Sequence, residues 1–167
     1  TPGNDAFTKI LLHLDGANGS TTFTDTNAAG VSNSWAAVSN AVISTSGAKF
    51  GPSSLDNGAS AQGIRTAAKS ALDVGTGDFT TDFWFNLGGG FTSGFAGLVG
   101  YGNSTINPTQ WSWEIIRAGT VVQFNISDGT NVGTSTGTTN VNSGWHHIAV
   151  TRASGTVRLF VDGNQEF

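Results

Sequence analysis

Few side chains in this 167-residue chain could do acid–base or metal chemistry. Its three histidines are His13, His146 and His147, and the last two are adjacent in SGWHHIAVTR, residues 143–152. Successive side chains of a strand point to opposite faces, so two adjacent histidines on a strand cannot ligate one ion. The expectation is a half-buried, hydrogen-bonded His147 and a His146 at the rim or surface. His13, in ILLHLD, is assigned no function. The carboxylates are two glutamates, Glu114 and Glu166, and nine aspartates. Most aspartates precede glycine or end an apolar run, where turn geometry alone accounts for them. The chain contains no H-E-x-x-H or G-x-x-x-x-G-K-[ST] pattern. Gly88-Gly89-Gly90 follows a strand pattern but no helix follows it, so it is no phosphate cradle. Without cysteine, thiolate metal sites, disulfides and cysteine nucleophiles are excluded.

Binding chemistry has better candidates. A sugar is held by an aromatic face against its C–H patch and by Asp, Asn and backbone groups at its hydroxyls. Trp111 and Trp113 share one side of WSWEII, Tyr101 lies in VGYGNSTIN, and Asp128 and Asn131 belong to SDGTN. The competing role for the tryptophans is to fill the space between two sheets. No cofactor is required by any motif; calcium is the one metal that Asp15, Asp56, Asn57 and Asp128 have the oxygen chemistry to take. Their spacing does not define a site.

These residues must be positioned by strands. Charged residues are only 11% of the chain, the net charge is −4, and the seven Lys and Arg are scattered singly. Nucleic acid, which needs clustered cations, is an unsuitable partner. No apolar run reaches the ~18 residues of a membrane span. Twenty-four glycines accompany many Ser, Thr and Asn, a turn and strand composition rather than a helical one. Eleven Phe and five Trp supply the apolar area that a disordered chain lacks.

Period-two alternation recurs along the chain. In GDFTTDFWFN, Phe79, Thr81, Phe83 and Phe85 oppose Thr80, Asp82, Trp84 and Asn86. Val122, Phe124 and Ile126 alternate with Gln123, Asn125 and Ser127, and Val157, Leu159 and Val161 with Arg158, Phe160 and Asp162. Further strands are expected over 9–15, 41–46, 53–57, 62–67, 95–102 and 111–119. Asp15-Gly16, Asn57-Gly58, Asp128-Gly129 and Asp162-Gly163 separate them. Residues 67–74, AAKSALDV, are expected to make a single helical turn. About ten strands and no long helix indicate an all-β, two-sheet antiparallel sandwich or jelly roll. Residues 1–7 read as a linker or N-terminal extension before a domain over 8–167.

Three stretches together resemble the laminin G-like, concanavalin A-like lectin and glucanase jelly rolls. They are KILLHLDGANGSTTFTDTN (9–27), GTGDFTTDFWFNL (75–87) and SGWHHIAVTRASGTVRLFVDGN (143–164). The last resembles that family's hairpin W-x-H-[apolar]-A-[apolar]-x-R followed by a strand ending in Asp-Gly, in which His147 is a packing residue. Enzymes of that fold carry their acids on one strand as E-x-D-x-E, a pattern this chain lacks, so the resemblance implies a non-catalytic module. It also implies a further closing strand after Asp162-Gly163, supplied by another segment or subunit. The opening resembles versions carried on bacteriophage virion proteins, such as tail, fibre or capsid-decorating proteins. The expected role is therefore surface recognition or structure in a virion or other extracellular assembly. Its partners would be a glycan or host-surface receptor, other subunits and copies of itself. A secreted bacterial adhesin and a glycoside hydrolase with acids outside this chain are the alternatives.

Overall fold

The computed structural model describes residues 4–58, 62–88, 94–102 and 111–167, except for the side chains of 111 and 112. Contacts divide the chain into two compact units, Thr1–Leu72 and Asp73–Phe167.

The first unit is held by short ribbons and side-chain bonds. Strand β1 (Ala36–Val38) and β2 (Val42–Ser44) precede β3 (Ser54–Asp56) and β4 (Gly63–Arg65). β1 pairs with β4 and β2 with β3, both antiparallel. The Asp25 carboxylate accepts bonds from the Leu11 amide (2.9 Å), the Asn27 amide (3.1 Å) and the side chains of Asn27 (3.0 Å), Asn33 (2.8 Å) and Trp35 (3.2 Å). Partial burial acts to raise its pKa, but these donors together hold it below the ordinary value. The strand expected over 9–15 is instead one isolated bridge, Leu12 to Asp25. Leu14 sits at φ 58°, a left-handed backbone that breaks a strand. Asn4 is bonded into this unit, to the Thr26 carbonyl (3.0 Å) and from the Ala28 amide (2.8 Å). The helical turn expected in 67–74 is a 3₁₀ turn over Ser70–Leu72.

The second unit is a sandwich of two antiparallel four-stranded sheets. In chain order its strands are β5 (Phe79–Asn86), β6 (Phe95–Tyr101), β7 (Trp111–Ala118) and β8 (Val121–Asp128), then β9 (Val132–Thr136), β10 (Trp145–Ala153), β11 (Thr156–Val161) and β12 (Asn164–Gln165). One sheet runs β12-β11-β10-β5 and the other β6-β7-β8-β9. Ser154 (φ 49°) with Gly155 (φ 79°), and Asp162 (φ 51°) with Gly163 (φ 83°), put positive φ at both centres of the two-residue β10–β11 and β11–β12 turns. That is the type I′ geometry whose twist matches the strands it joins.

The core lies between these sheets. Ile115, Val122 and Phe124 from one meet Ile148, Val150, Leu159 and Val161 from the other, together with Val141. Phe79, Phe83, Phe85 and Ile126 are only partly buried and pack around this centre. The alternation therefore identified the inward faces, with the three β5 phenylalanines less enclosed than the β8 and β11 residues. The architecture is the all-β jelly-roll sandwich expected from the sequence.

Candidate functional site

At one end of the sandwich a cleft of about 270 Å³ lies between the two sheets. Ile126, Asp128, Asn131 and Gly133 line it from the β8–β9 side, and Arg152, Gly155 and Val157 from the β10–β11 side. Register explains the grouping. Ile126 faces Gly133 across β8 and β9, and Arg152 faces Val157 across β10 and β11, each pair on an inward face near its strand's end. The lining combines two apolar side chains, Ile126 and Val157, with an acid, an amide and a guanidinium.

Asp128 is preorganised by its own turn. Its Oδ1 accepts the amides of Thr130 (2.8 Å) and Asn131 (2.6 Å), and its Oδ2 accepts Asn131 Nδ2 (3.3 Å). The Asn131 amide, then the Thr130 amide, hold the carboxyl below the ordinary carboxylate range. Arg152 is fixed from behind. Its Nε donates to the Gly77 carbonyl (2.7 Å), and its Nη2 to Val74 (3.1 Å), Gly75 (2.7 Å) and Gly77. The guanidinium also lies 5.1 Å from the Phe79 ring centroid. Nη1 makes no hydrogen bond to a described residue.

The sequence candidates converge on this end, though not all on the cleft. Tyr101, Trp113, Ile126 and Gly133 form one cross-strand row, and Trp111 pairs with Asp128 in the next. Asp128 and Asn131 line the cleft. Trp113 does not offer the anticipated stacking surface. Its ring stacks on Phe79 at 6.1 Å between centroids and leans on Phe124 at 6.4 Å, so it packs against the core. The side chain of Trp111 lies outside the described residues. Tyr101 is partly buried, and burial followed by the charge of Asp73 raises its pKa. Arg152, Gly155 and Val157 were missed. They belong to the opposite sheet, and only the fold brings them to Asp128.

The histidine expectation is reversed in part. His146 is the more enclosed, on the inward side beside Phe85, with Nδ1 2.8 Å from Asp162 Oδ2 and Nε2 2.9 Å from the Ser143 carbonyl. When protonated it donates to both acceptors. His147 lies on the outer face, its ring 5.2 Å from Trp84 and its Nε2 3.4 Å from Asp82. The inward side chain is enclosed because it follows the alternation of Ile148 and Val150. Asp162 also accepts the His147 amide (2.9 Å). Burial acts to raise the Asp162 pKa, but the His146 bond, the amide and the two imidazoles lower it overall.

Two other polar features bear on chemistry. On the face of β7–β9 turned from the core, Asn125 donates to Glu114 Oε1 (2.9 Å) and accepts from Gln123 Nε2 (2.9 Å) and Thr134 Oγ1 (2.9 Å). Glu114 is thus partnered by an amide. Among the described residues no three acids or histidines cluster to hold a metal, and the Asp56 and Asp128 carboxylates bind amides of their own turns. Among the described residues no helix is long and apolar enough to cross a membrane.

The jelly roll agrees with comparison to known families. A family model described as the concanavalin A-like lectin/glucanases superfamily matches residues 57–167, well over half of the chain. The chain belongs to that superfamily. No curated protein matches it.

Proposed function

We propose that this domain is a non-catalytic carbohydrate-recognition module and that the end cleft is its site. The observation that carries this reading is one cleft lined both by apolar Ile126 and Val157 and by Asn131 and an Asp128 carboxylate fixed by its own turn. A sugar ring needs that combination: a C–H patch against aliphatic carbon, and hydroxyls against a preoriented carboxylate and amide. Superfamily membership supports it, since lectins share this fold, although fold alone does not assign a ligand. The bond from Asn125 to Glu114 favours recognition over hydrolysis, because a glycosidase acid works opposite a second carboxylate. The setting we favour is the surface of an extracellular assembly, a bacteriophage virion before a bacterial adhesin, on the resemblance of residues 9–27. Glycan-array binding by the chain, abolished in Asp128→Ala/Asn131→Ala, tests the reading. Unchanged binding in that variant would reject the cleft as the site.

A second reading, docking onto another subunit, is favoured by one observation. Trp84 is 38% exposed on the outer face of β5 and pairs there with His147 and near Asp82. If that face is an assembly contact, Trp84→Ser reduces the oligomer mass measured by light scattering and leaves glycan binding intact.

A further inference from the structure

We infer that Asn57-Gly58 is a self-modifying peptide, in which the Asp56 carboxylate takes the Gly58 amide proton and Asn57 loses its side-chain nitrogen as ammonia. The inference is independent of the cleft, since these residues lie at the end of β3 in the first unit. Such a step needs an asparagine free to swing onto the next peptide. It also needs that peptide's nitrogen unshielded by a side chain, and a proton acceptor at its N–H. The chain contains two Asn-Gly pairs, Asn18-Gly19 and Asn57-Gly58. The structure gives them opposite surroundings.

At the first pair every group is tied down. Asn18 Oδ1 accepts from the Thr45 amide (3.1 Å) and hydroxyl (3.4 Å), and the Gly19 amide donates to the Ile43 carbonyl (2.8 Å). A peptide carbonyl accepts a hydrogen bond but is no base. At the second pair the Asn57 side chain is exposed and makes no hydrogen bond to a described residue. The Gly58 amide donates to Asp56 Oδ1 at 2.7 Å, so a carboxylate already holds the proton that has to leave. Gly58 sits at φ 58°, and a Cβ there would lie 2.9 Å from Gln62 Oε1. The position therefore keeps a glycine, and its nitrogen stays open to the neighbouring side chain.

The step needs no reagent but water. The Gly58 proton passes to Asp56, and the Gly58 nitrogen attacks Cγ of Asn57. The N–Cγ bond forms and the Cγ–Nδ2 bond breaks. Nδ2 takes up the proton held by Asp56 and leaves as ammonia, and Asp56 is a carboxylate again. Water then opens the cyclic imide at either carbonyl, giving aspartate or isoaspartate at position 57. Both products place a new carboxylate beside Asp56 in a chain whose net charge is already −4. Isoaspartate also adds a methylene to the backbone directly after Asp56, which pairs with Val42 at the end of the β2–β3 ribbon.

The test is peptide mapping by mass spectrometry during incubation of the 1–167 chain at mildly alkaline pH, folded and in urea, with isoaspartate identified by enzymatic methylation. In the folded chain Asn57 should convert about tenfold faster than Asn18, a modest share of the ~10²–10⁴ that a positioned base can supply. In urea the two should convert at similar rates. Asp56→Asn keeps an oxygen to accept the Gly58 amide but removes the base. It should slow Asn57 about tenfold in the folded chain and change its rate little in urea. Equal rates at Asn57 and Asn18 in the folded parent would overturn the inference, whether or not the variant folds. So would an unchanged or faster Asn57 in folded Asp56→Asn, since the bond to Asp56 would then only lock the turn. Equal slowing in urea would assign the effect to local sequence and overturn it as well.

Discussion

Glu166 shows how one residue sets a pH limit on this fold. Its carboxylate accepts the amide (2.5 Å) and hydroxyl (2.7 Å) of Thr138 and the amide (3.2 Å) and hydroxyl (2.5 Å) of Thr139, tying the segment after β11 to the loop before β10. Burial acts to raise its pKa, but the Thr139 hydroxyl and the other donors lower it from 4.5 to about 2. A carboxyl with a depressed folded pKa contributes stability that is complete above its unfolded value and lost as pH falls through the folded one. Glu166→Gln should therefore destabilise the chain by about 1–2 kcal/mol at pH 7, after allowance for its solvent exposure. The difference from the parent should shrink between pH 4.5 and 2. Urea denaturation at pH 7, 4 and 2.5 measures it; a pH-independent difference would refute the assignment. Arg152 makes the second residue-scale case. Lysine keeps the charge but cannot reach the Val74, Gly75 and Gly77 carbonyls together. Arg152→Lys should cost about 2–3 kcal/mol and accelerate amide exchange in residues 75–78. Unaltered exchange there would show that the clamp contributes nothing.

At the scale of elements, packing carries the sandwich. Phe124, 2% exposed, lies at the centre of the inward face of β8 and contacts Phe79 and Trp113. Phe124→Ala should cost about 3–5 kcal/mol in denaturant unfolding. Partly buried Phe83 should cost less when truncated the same way. The alternation of β5, β8 and β11 was legible because each strand places large apolar residues on one face and polar ones on the other. β9, Val132–Thr136, escaped notice because VGTST has little apolar pattern; its place is set by pairing with β8. The run 9–15 misled in the opposite direction, since its apolar residues look strand-like while the Asp25 bonds and the backbone of Leu14 dictate otherwise. Half of the cleft was equally hidden. Asp128 and Asn131 stand together in the chain, but Arg152 and Val157 reach them only through sheet-on-sheet packing. Periodicity also cannot say which of two tryptophans turns inward. Trp113 does so because it shares the inward side of β7 with buried Ile115, and Trp84 does not because Phe83 and Phe85 occupy that side.

For the whole molecule, the claim is that a jelly-roll scaffold presents a recognition site and leaves glycan bonds intact. Incubating the chain with panels of oligosaccharides should release no new reducing ends, and Glu114→Gln should behave as the parent does. Release that disappears in that variant would make the domain a hydrolase. The most direct measurement is equilibrium binding of the parent and of Asp128→Ala/Asn131→Ala to the same glycan array, with folding of both checked by near-ultraviolet circular dichroism. The cleft account predicts glycan binding by the parent and at least a tenfold loss in a double variant that stays folded. Equal binding by both proteins, or none by the parent across neutral and acidic glycans alike, would contradict it.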